Sequence, residues 1–217
     1  MHKTVDISME TDVLEENRRL AGENRDLLRS KGIRSLDVLG SIGAGKTELI
    51  LGLSRRMEER GIRCAAIAGD VSGQDDFERF REIGIPAVNM NTGKECHLDA
   101  HLVEHALEDL DLDRIDFVFI ENVGNLVCPA DFPLGTDARM VVVSVTEGDD
   151  MIRKHPFIFM SSDLAVLNKV DLLPHMQVDD ERLRFDLASI KKGASLLSVS
   201  ARTGEGVDEL LSTLESL

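Results

Sequence analysis

The sequence predicts a doubly wound α/β fold: a mostly parallel, seven-stranded sheet with helices on both faces. Seven short apolar runs alternate with helical segments from residue 34 onward, and this alternation is typical of parallel sheets. Near-continuous apolar runs such as Met140–Val143 suit strands that are buried on both faces. A glycine-rich turn, Gly40–Thr47, joins the first run to the first helix of this pattern. The 217 residues suffice for one domain with a substantial core.

The N-terminal segment, residues 10–31, is polar and strongly helix-forming. Two sets of apolar residues recur there every seven residues: Val13, Leu20 and Leu27, and Leu14, Ala21 and Leu28. They form a narrow apolar stripe on a charged helix. We expect residues 1–32 to be a helical extension packed on the domain's own surface, and residues 33–217 to be the domain itself. Docking of a partner protein on the stripe is the alternative.

The other elements follow from the bounds of the apolar runs and of the helical patterns. The predicted strands are Ser35–Leu39, Arg63–Ala68, Ala87–Asn89, Asp116–Ile120, Arg139–Val145, Leu164–Leu167 and Leu196–Val199. The predicted helices are Lys46–Glu59, Asp75–Glu82, His97–Glu108, Asp180–Ile190 and Gly206–Glu215. No internal repeat or low-complexity segment is evident in the sequence.

The turn after the first strand is a complete G-x-x-x-x-G-K-[ST] match, made of Gly40, Ser41, Ile42, Gly43, Ala44, Gly45, Lys46 and Thr47. Its glycines let backbone N–H groups converge on phosphate oxygens, and the following helix N-terminus adds a favourable partial charge. Lys46 would reach the β- and γ-phosphates, and Thr47 would hold Mg²⁺ through its hydroxyl. The turn therefore predicts a nucleotide cradle and a P-loop NTPase fold, rather than a glycine-rich turn with a chance Lys-Thr.

Two later loops have the residue types that read a guanine base. Asn168, Lys169 and Asp171 form an N-K-x-D motif at the end of a predicted strand. The Asp171 carboxylate can accept from both adjacent donors of guanine, whereas adenine presents an acceptor at the matching ring nitrogen. The loop Ser200-Ala201-Arg202 follows the last predicted strand, and a backbone N–H near Ala201 would donate to the guanine carbonyl. The bound nucleotide is therefore expected to be GTP or GDP.

Several carboxylates are candidates for the magnesium shell or for positioning the attacking water. Glu121 and Asp70 each end an apolar strand, and Asp76 follows a few residues after Asp70. Gly124 lies where GTPases sense the γ-phosphate, and Asn125 takes the place of the glutamine that often positions water. The alternative for each acid is a helix N-cap or a solvated loop charge.

A separate group of residues has the chemistry of a transition-metal site. Cys96 and His97 are adjacent, His101 and His105 follow at steps of four, and Cys128 lies four residues after Gly124. We expect the three histidines to share one helix face. Thiolate with imidazole suits Zn²⁺ or Ni²⁺ rather than Mg²⁺.

The spacing alone leaves the metal interpretation open, because small buried cysteines and surface histidines would have the same pattern. Three ligands leave a four-coordinate ion incomplete, so a water, His101 or a second chain would have to complete the site. A two-fold dimer would bring two such sets together. Because Cys128 follows Gly124 on one loop, a movement that senses the γ-phosphate would also move a thiolate ligand.

Composition excludes several functional classes. A net charge of −15 argues against generic binding to nucleic acid or to an anionic membrane surface. No apolar run has the length of a membrane span, and the first residues do not resemble a signal peptide. Three widely spaced cysteines do not form a disulfide framework. We expect a cytoplasmic protein.

Four phrases together resemble the hydrogenase nickel-incorporation GTPases, the HypB family: G-K-E-C-H-L-D-A-H, E-N-V-G-N-L-V-C-P, S-V-T-E-G-D-D and N-K-V-D-L. The resemblance implies a P-loop GTPase of the dimerising SIMIBI class that helps deliver nickel to [NiFe] hydrogenase. Its metal ligands carry over onto Cys96, His97 and Cys128, and less directly onto His101. Lys154, just past the E-G-D-D phrase, would approach the nucleotide of the partner subunit.

The resemblance also implies partners. These are a second copy of the chain when GTP is bound, a small zinc/nickel chaperone that docks on the N-terminal helix, and, indirectly, the hydrogenase large-subunit precursor. Three hypotheses follow. The first is a slow GTPase that times nickel transfer, the second is a metal-carrying scaffold that nucleotide binding only switches in shape, and the third is a maturation GTPase for another nickel enzyme such as urease.

Overall fold

The structure, a computed structural model, describes the backbone of residues 3–217 and the side chains from residue 12 onward. Its strands are β1 (Arg34–Gly40), β2 (Cys64–Asp70), β3 (Ala87–Asn91), β4 (Phe117–Glu121), β5 (Ala138–Ser144), β6 (Leu164–Asn168) and β7 (Leu196–Ser198). Its helices are α1 (Lys3–Ser30), α2 (Lys46–Glu59), α3 (Asp75–Glu82), α4 (Ala100–Glu108), α5 (Met151–Lys154), α6 (Pro156–Met160), α7 (Asp180–Ile190) and α8 (Val207–Ser216).

The seven strands form one sheet in the order β3-β2-β4-β1-β5-β6-β7. Every pairing in this sheet is parallel, which confirms the predicted α/β class. The central strand, β1, pairs with β4 on one side and with β5 on the other. The chain therefore winds in both directions from β1, and ligands of such sheets bind beyond the carboxyl ends of the central strands.

Alternation along the strands buries the sheet on both faces. In β4, Phe117 and Phe119 pack with apolar residues of α2 and α8, whereas Val118 and Ile120 pack with residues of α1 and α4. Adjacent strand residues point to opposite faces, so helices on both sides are required to cover the sheet. This packing holds the loops at the carboxyl edge on a rigid base.

The N-terminal helix lies against α4 through one side of its apolar stripe. Ala21 and Leu28 are buried, whereas Val13 and Leu27 remain exposed. Two asparagines are also buried on this side. Asn24 donates to the carbonyl oxygens of Ala100 and Leu134, at 2.8 Å and 3.1 Å, and Asn17 accepts from the Ala100 N–H at 2.8 Å.

The prediction that a helix begins at His97 is wrong. The helix begins at Ala100, because the Asp99 carboxylate accepts from the Leu102 N–H at 2.8 Å and caps it. His97 precedes this cap and does not share a helix face with His101 and His105. The short helices α5 and α6 were not predicted, since Pro156 divides a segment of only a few turns.

No helix in the part of the chain that the structure describes combines the length and apolar character needed to cross a bilayer.

Candidate functional site

The glycine-rich turn forms an open cradle at the carboxyl end of β1. Gly43 and Gly45 have φ angles of 79° and 91°, a region that side-chain-bearing residues rarely adopt. At Gly45 a side chain would also lie 2.5 Å from the Asn168 amide nitrogen. The turn opens into a cleft of about 410 Å³. Positive φ angles and the close approach of neighbouring chain together explain why these positions need glycine.

Lys46 lies over this turn. Its Nζ donates to the backbone oxygens of Ser41 and Gly40, at 3.2 Å and 3.4 Å, and lies 4.0 Å from Glu121 Oε1. The residue is buried, so its charge is directed into the cleft rather than into solvent. An ammonium group held there can bind the phosphate oxygens of a nucleotide.

Three oxygen-bearing side chains converge at the start of α2. The Thr47 hydroxyl lies 2.7 Å from Asp76 Oδ1 and 2.9 Å from Glu121 Oε1. Glu121 Oε2 is buried, and no described residue hydrogen-bonds to it. Burial raises the pKa of Glu121 from its ordinary value of 4.5 to about 7, with Lys46 opposing the rise. A hard cation with oxygen ligands would satisfy these groups, so the residues fit Mg²⁺.

Asp70 is engaged differently. It lines the cleft, but its Oδ1 accepts from the adjacent Val71 N–H at 2.6 Å. The Asp70 carboxylate therefore stabilises the turn after β2, which agrees with the alternative of a loop carboxylate that binds no metal. A role for Asp70 in the magnesium shell or in positioning water stays a prediction.

Arg79 is a cleft residue that sequence reasoning missed. It lies on α3 three residues after Asp76, on the same face, and it lines the cleft. Its guanidinium forms an ion pair with Glu48, the residue after Thr47. The sequence signal that could have found it is the charged helix after β2, because a helix there places Arg79 one turn beyond Asp76.

The N-K-x-D loop is joined to the cradle by the buried Asn168. Its amide nitrogen donates to the Ala44 carbonyl at 2.9 Å. Its amide oxygen accepts from the Lys169 and Ala201 N–H groups, at 2.7 Å and 3.1 Å. Lys169 Nζ donates to the Gly43 carbonyl at 2.6 Å. Asn168 thus connects three loops, and the Ala201 N–H is directed at Asn168 rather than at the predicted base pocket.

Asp171 faces a small cavity of about 160 Å³ beside these loops. Its Oδ1 accepts from the Ser200 hydroxyl at 2.6 Å, and its Oδ2 pairs with the Arg202 guanidinium at 2.7 Å. The Ser200 hydrogen bond is the main reason that the pKa of Asp171 lies below its ordinary value, with Arg202 adding to it. The carboxylate is therefore ionised at neutral pH, the form that accepts two hydrogen bonds.

The structure brings Cys96, His97 and Cys128 together. Their ligand atoms all lie within 4.8 Å of one another. Cys96 Sγ is 2.6 Å from Cys128 Sγ and 3.9 Å from His97 Nδ1, and both cysteines are free. The His97 ring packs on Phe132 with a centroid distance of 3.9 Å. Burial lowers the pKa of His97, so the ring is held in the neutral form that binds metals. We call these three residues the Cys/His cluster.

Two other predicted residues lie outside this cluster. The exposed His101 of α4 has its Nε2 3.3 Å from His105 Nε2, and its ligand atoms are not among those of the Cys/His cluster. The exposed Lys154 pairs through Nζ with Asp150 at 2.6 Å. Its approach to a partner's nucleotide stays a prediction.

The loop after β4 connects the cradle to the Cys/His cluster. Gly124 packs so closely on the cradle that an added Cβ would lie 2.9 Å from Ile42 N. The next residue, Asn125, forms a backbone bridge to Gly40. Its side chain donates to the Cys96 carbonyl at 3.3 Å and accepts from the Val127 N–H at 2.8 Å. Asn125 thus contacts the cradle, the backbone of Cys96 and the residue that precedes Cys128, which the sequence did not predict.

The fold and the cradle define a P-loop nucleotide-binding protein, here with a Cys/His cluster one loop away. The profile of the family described as "CobW/HypB/UreG, nucleotide-binding domain" matches residues 36–198. A probable hydrogenase maturation factor HypB of Methanocaldococcus jannaschii is 49% identical over 215 residues, which cover 99% of this chain and 97% of that protein. The chain therefore belongs to the CobW/HypB/UreG family and, within it, to the HypB hydrogenase maturation factors. The resemblance inferred from the four motifs is confirmed.

Two solved structures agree with this assignment. The crystal structure of a hydrogenase maturation factor HypB from Archaeoglobus fulgidus has a TM-score of 0.86 and 44% identity, and covers 93% of this chain and 98% of that one. The crystal structure of HypB from Helicobacter pylori in complex with nickel has a TM-score of 0.87 and 30% identity, and the match covers 93% of this chain and 94% of that one.

Proposed function

We propose that this chain is a GTP-hydrolysing metallochaperone that promotes nickel insertion during [NiFe] hydrogenase maturation. The observation that carries the proposal is the loop of Gly124 and Asn125, which contacts the phosphate cradle at one end and the Cys/His cluster at the other. The family membership and the nickel complex of a 30% identical relative support a nickel cargo. Thiolate and imidazole also bind zinc, so Ni²⁺ and Zn²⁺ would compete for the cluster.

In this proposal the cleft hydrolyses GTP to GDP and phosphate. Lys46 leaves the carbonyls of Ser41 and Gly40 to bind the β- and γ-phosphates. Thr47, Asp76 and Glu121 would hold Mg²⁺, which when bound neutralises charge on the phosphate oxygens. Asp70 and Asp76 are the candidates for orienting the attacking water.

Turnover is expected to be slow. The side chain of Asn125, which takes the place of the usual water-positioning glutamine, is already bound to the Cys96 carbonyl and the Val127 N–H. Arg79 is the arginine that lines the cleft, and its guanidinium is already paired with Glu48. An arginine near the transferred phosphate accelerates hydrolysis only when it contacts the transition state.

The loop also provides a route from nucleotide state to metal affinity. A γ-phosphate that draws Gly124 inward would move Asn125, and with it the backbone of Cys96 and the approach to Cys128. A two-fold dimer formed around GTP would bring two Cys/His clusters together and could place Lys154 near the partner's nucleotide. A small zinc/nickel chaperone on α1 and the hydrogenase large-subunit precursor are the further partners that we propose.

Base specificity tests the enzymatic half of the proposal. The parent protein should turn over GTP and leave ATP almost unused, because Asp171 accepts from the two donors of guanine. Asp171→Asn should lose most of this preference, since an amide offers one acceptor and one donor. Asp26→Asn, the same change on the exposed face of α1, is the matched control. Equal use of GTP and ATP by the parent protein would sink the base-reading argument.

Metal titration tests whether the nucleotide state changes the metal affinity of the Cys/His cluster. Equilibrium titrations with Ni²⁺ and with Zn²⁺, in the presence and absence of a non-hydrolysable GTP analogue, should give different affinities in the two nucleotide states. Cys128→Ser should weaken binding in both states, because one of three ligands is removed. Identical affinities with and without the analogue would contradict the route through Gly124 and Asn125.

A variant that binds GTP without hydrolysing it distinguishes two hypotheses. In one, GTP hydrolysis times nickel transfer; in the other, the protein is a metal-carrying scaffold whose shape changes when the nucleotide binds. Failure of such a variant to mature hydrogenase supports a timer, whereas full maturation supports the scaffold. Maturation of urease but not of hydrogenase by the parent protein would redirect the proposal to another nickel enzyme.

A further inference from the structure

A buried carboxylate that the proposed mechanism does not use lies in the middle of the sheet. Asp37, in β1, is 0% exposed and precedes the cradle by three residues. Its Oδ2 accepts from Arg139 Nε at 3.2 Å, and its Oδ1 accepts from Asn122 Nδ2 at 3.2 Å. Arg139 is the residue opposite Asp37 on β5. Because a buried ion pair is seldom the most stable choice at such a position, its presence points to a role other than stability.

Both contacts favour the ionised form of this carboxyl. Burial raises the pKa of Asp37, and Arg139 and Asn122 oppose that rise. Each carboxyl oxygen accepts from an N–H group, so a proton on either oxygen would place a donor against a donor. The carboxylate and its two partners therefore act as one unit, which a neutral amide at position 37 would disrupt.

Asn122 connects this carboxylate to the segment that carries His97. Asn122 directly follows β4 and is buried. Its Oδ1 accepts from the N–H groups of Leu98 and Val123, at 3.1 Å and 3.0 Å. These two donors fix the orientation of the amide, so its Nδ2 is the atom that faces Asp37. The residue directly after His97 is thus held at a fixed distance from the carboxylate.

Arg139 connects the same carboxylate to the turn that carries Cys128. Its Nη1 donates to the Ala130 carbonyl at 3.3 Å, and its Nη2 donates to the Pro129 carbonyl. The Arg139 side chain is 13% exposed. A guanidinium is planar and its donors have a fixed geometry. The two carbonyls that follow Cys128 are therefore held in a fixed position relative to Asp37.

We propose that Asp37 is a positioning residue for the Cys/His cluster. Through Asn122 it holds the backbone after His97, and through Arg139 it holds the backbone after Cys128. Residues of the rigid sheet thus set the separation of the two loops that supply the ligands. The inference rests on the proposed metal site, whose affinity would be higher because the ligands need less ordering when the ion binds.

Nickel titration of the full, nucleotide-free chain tests this role. Asp37→Asn and Arg139→Lys should each weaken Ni²⁺ binding at the Cys/His cluster about 10-fold or more, as expected for loss of a group that orients a metal ligand. The thiolate-to-nickel charge-transfer absorbance reports binding at the cluster alone, and its spectrum should change. Asp116→Asn and Arg63→Lys are the matched controls, because they change an ion pair at the amino ends of β4 and β2. They should leave both readouts unchanged.

A second measurement uses no metal. Cys96 Sγ and Cys128 Sγ lie 2.6 Å apart, so glutathione disulfide should oxidise the two thiols to one disulfide and be reduced to two glutathione molecules. In Asp37→Asn and Arg139→Lys this oxidation should be about 10-fold slower, since the thiols are adjacent for less of the time. Titration of the remaining free thiols measures the rate.

The two measurements separate this inference from the proposed function. Circular dichroism establishes that each variant keeps its helices. If Asp37→Asn does not fold, Arg139→Lys carries both measurements, because it retains a positive charge beside Asp37 but lacks the planar fork. Folded variants with the Ni²⁺ affinity, spectrum and oxidation rate of the parent protein would overturn the proposal and leave Asp37 a structural role alone. If the parent protein gives no thiolate-to-nickel absorbance, the proposed metal site fails, and the oxidation rates still decide whether Asp37 positions the two loops.

Discussion

At the scale of single residues, Glu121 shows how the fold changes the chemistry of a side chain. It ends β4 inside the sheet, beside Thr47 and Lys46, and it is 3% exposed. Burial disfavours the charged form and outweighs the attraction of Lys46, so its pKa rises to about 7. Thr47 has one hydroxyl proton for two carboxylates, and a protonated Glu121 can donate the second hydrogen bond. In the proposed function, the same carboxyl would become a metal ligand when a cation replaces that proton.

Glu121 should make the protein's stability depend on pH. Because its folded pKa lies above its ordinary value, the folded chain binds more protons than the unfolded chain between about pH 4.5 and 7, and stability falls as pH rises through that window. Glu121→Gln removes the effect. The free energy of unfolding of Glu121→Gln, relative to that of the parent protein, should increase between about pH 4.5 and 7 by at most about 3 kcal/mol. Above that range the difference should be constant.

Urea unfolding of the nucleotide- and metal-free proteins, from about pH 5 to pH 8, measures this difference. Glu59→Gln, at an exposed position on α2, should leave the pH profile of the parent protein unchanged. A stability difference for Glu121→Gln that stays constant with pH would mean that the glutamate is not the titrating group.

At the scale of elements, α1 is held to the domain by polar as well as apolar contacts. Ala21 and Leu28 are both buried, and Leu28 packs in the core cluster that contains the apolar residues of α4. Asn17 and Asn24 lie one helical turn before Ala21 and Leu28, respectively. They satisfy backbone groups at the start of α4 and in the segment before β5. These contacts orient the helix, because an asparagine can form them in only one register. Val13 and Leu27 are left on the solvent side.

Asn24→Ala should destabilise the protein by about 1–3 kcal/mol, since it leaves the buried carbonyls of Ala100 and Leu134 without their donor. Arg25→Ala, on the exposed side of the same helix, should change stability by less than about 0.5 kcal/mol. Urea unfolding measures both. Equal effects would show that the helix contributes only apolar surface.

At the scale of the whole molecule, the parallel sheet places two kinds of chemistry at one edge. The cradle follows β1, Glu121 ends β4, and the loop after β4 continues to Cys128. Because β1 and β4 are adjacent, the loop after β4 lies directly against the cradle. The chain is acidic overall, with a net charge of −15, yet Lys46, Arg79 and Lys169 all line the cleft. Glu48, Asp70, Asp76 and Glu121 line the same cleft, so cations and carboxylates meet there, a combination that suits a phosphate bound together with a divalent cation.

Gly124→Ala should disturb both sites together. The added methyl would lie 2.9 Å from Ile42 N and 3.0 Å from Ile42 Cα, so the loop must move away from the cradle. GTP affinity should fall, and the GTP-dependent change in Ni²⁺ affinity should fall with it, as measured by titration of each ligand in the presence of the other. Gly22→Ala has open space around it on α1 and is the matched control. Loss of GTP affinity with an unchanged nucleotide effect on Ni²⁺ would contradict the coupling.

Much of the fold was predictable because its signals are local. All seven strands lie within a few residues of their predicted bounds, and Lys46–Glu59, Asp75–Glu82 and Asp180–Ile190 are helices as expected. Buried parallel strands are continuous apolar runs, and no distant residue is needed to recognise them. The predicted start of α4 at His97 was wrong. The helical pattern extends back to His97, but the cap at Asp99 makes the helix begin at Ala100.

The sequence by itself determined the class of fold and the cradle, because each depends on a few residue types at a short spacing. It predicts the guanine-reading residues from the N-K-x-D motif and the loop of Ser200. For Cys96, His97 and Cys128 the spacing left the metal interpretation open, and the family resemblance selected them. Only the tertiary structure decided that His101 pairs with His105 instead of joining the cluster, that Arg79 lines the cleft, and that Asn125 joins the two sites. These outcomes depend on which loops meet at the carboxyl edge of the sheet. Strand order sets those meetings, and no local pattern encodes it.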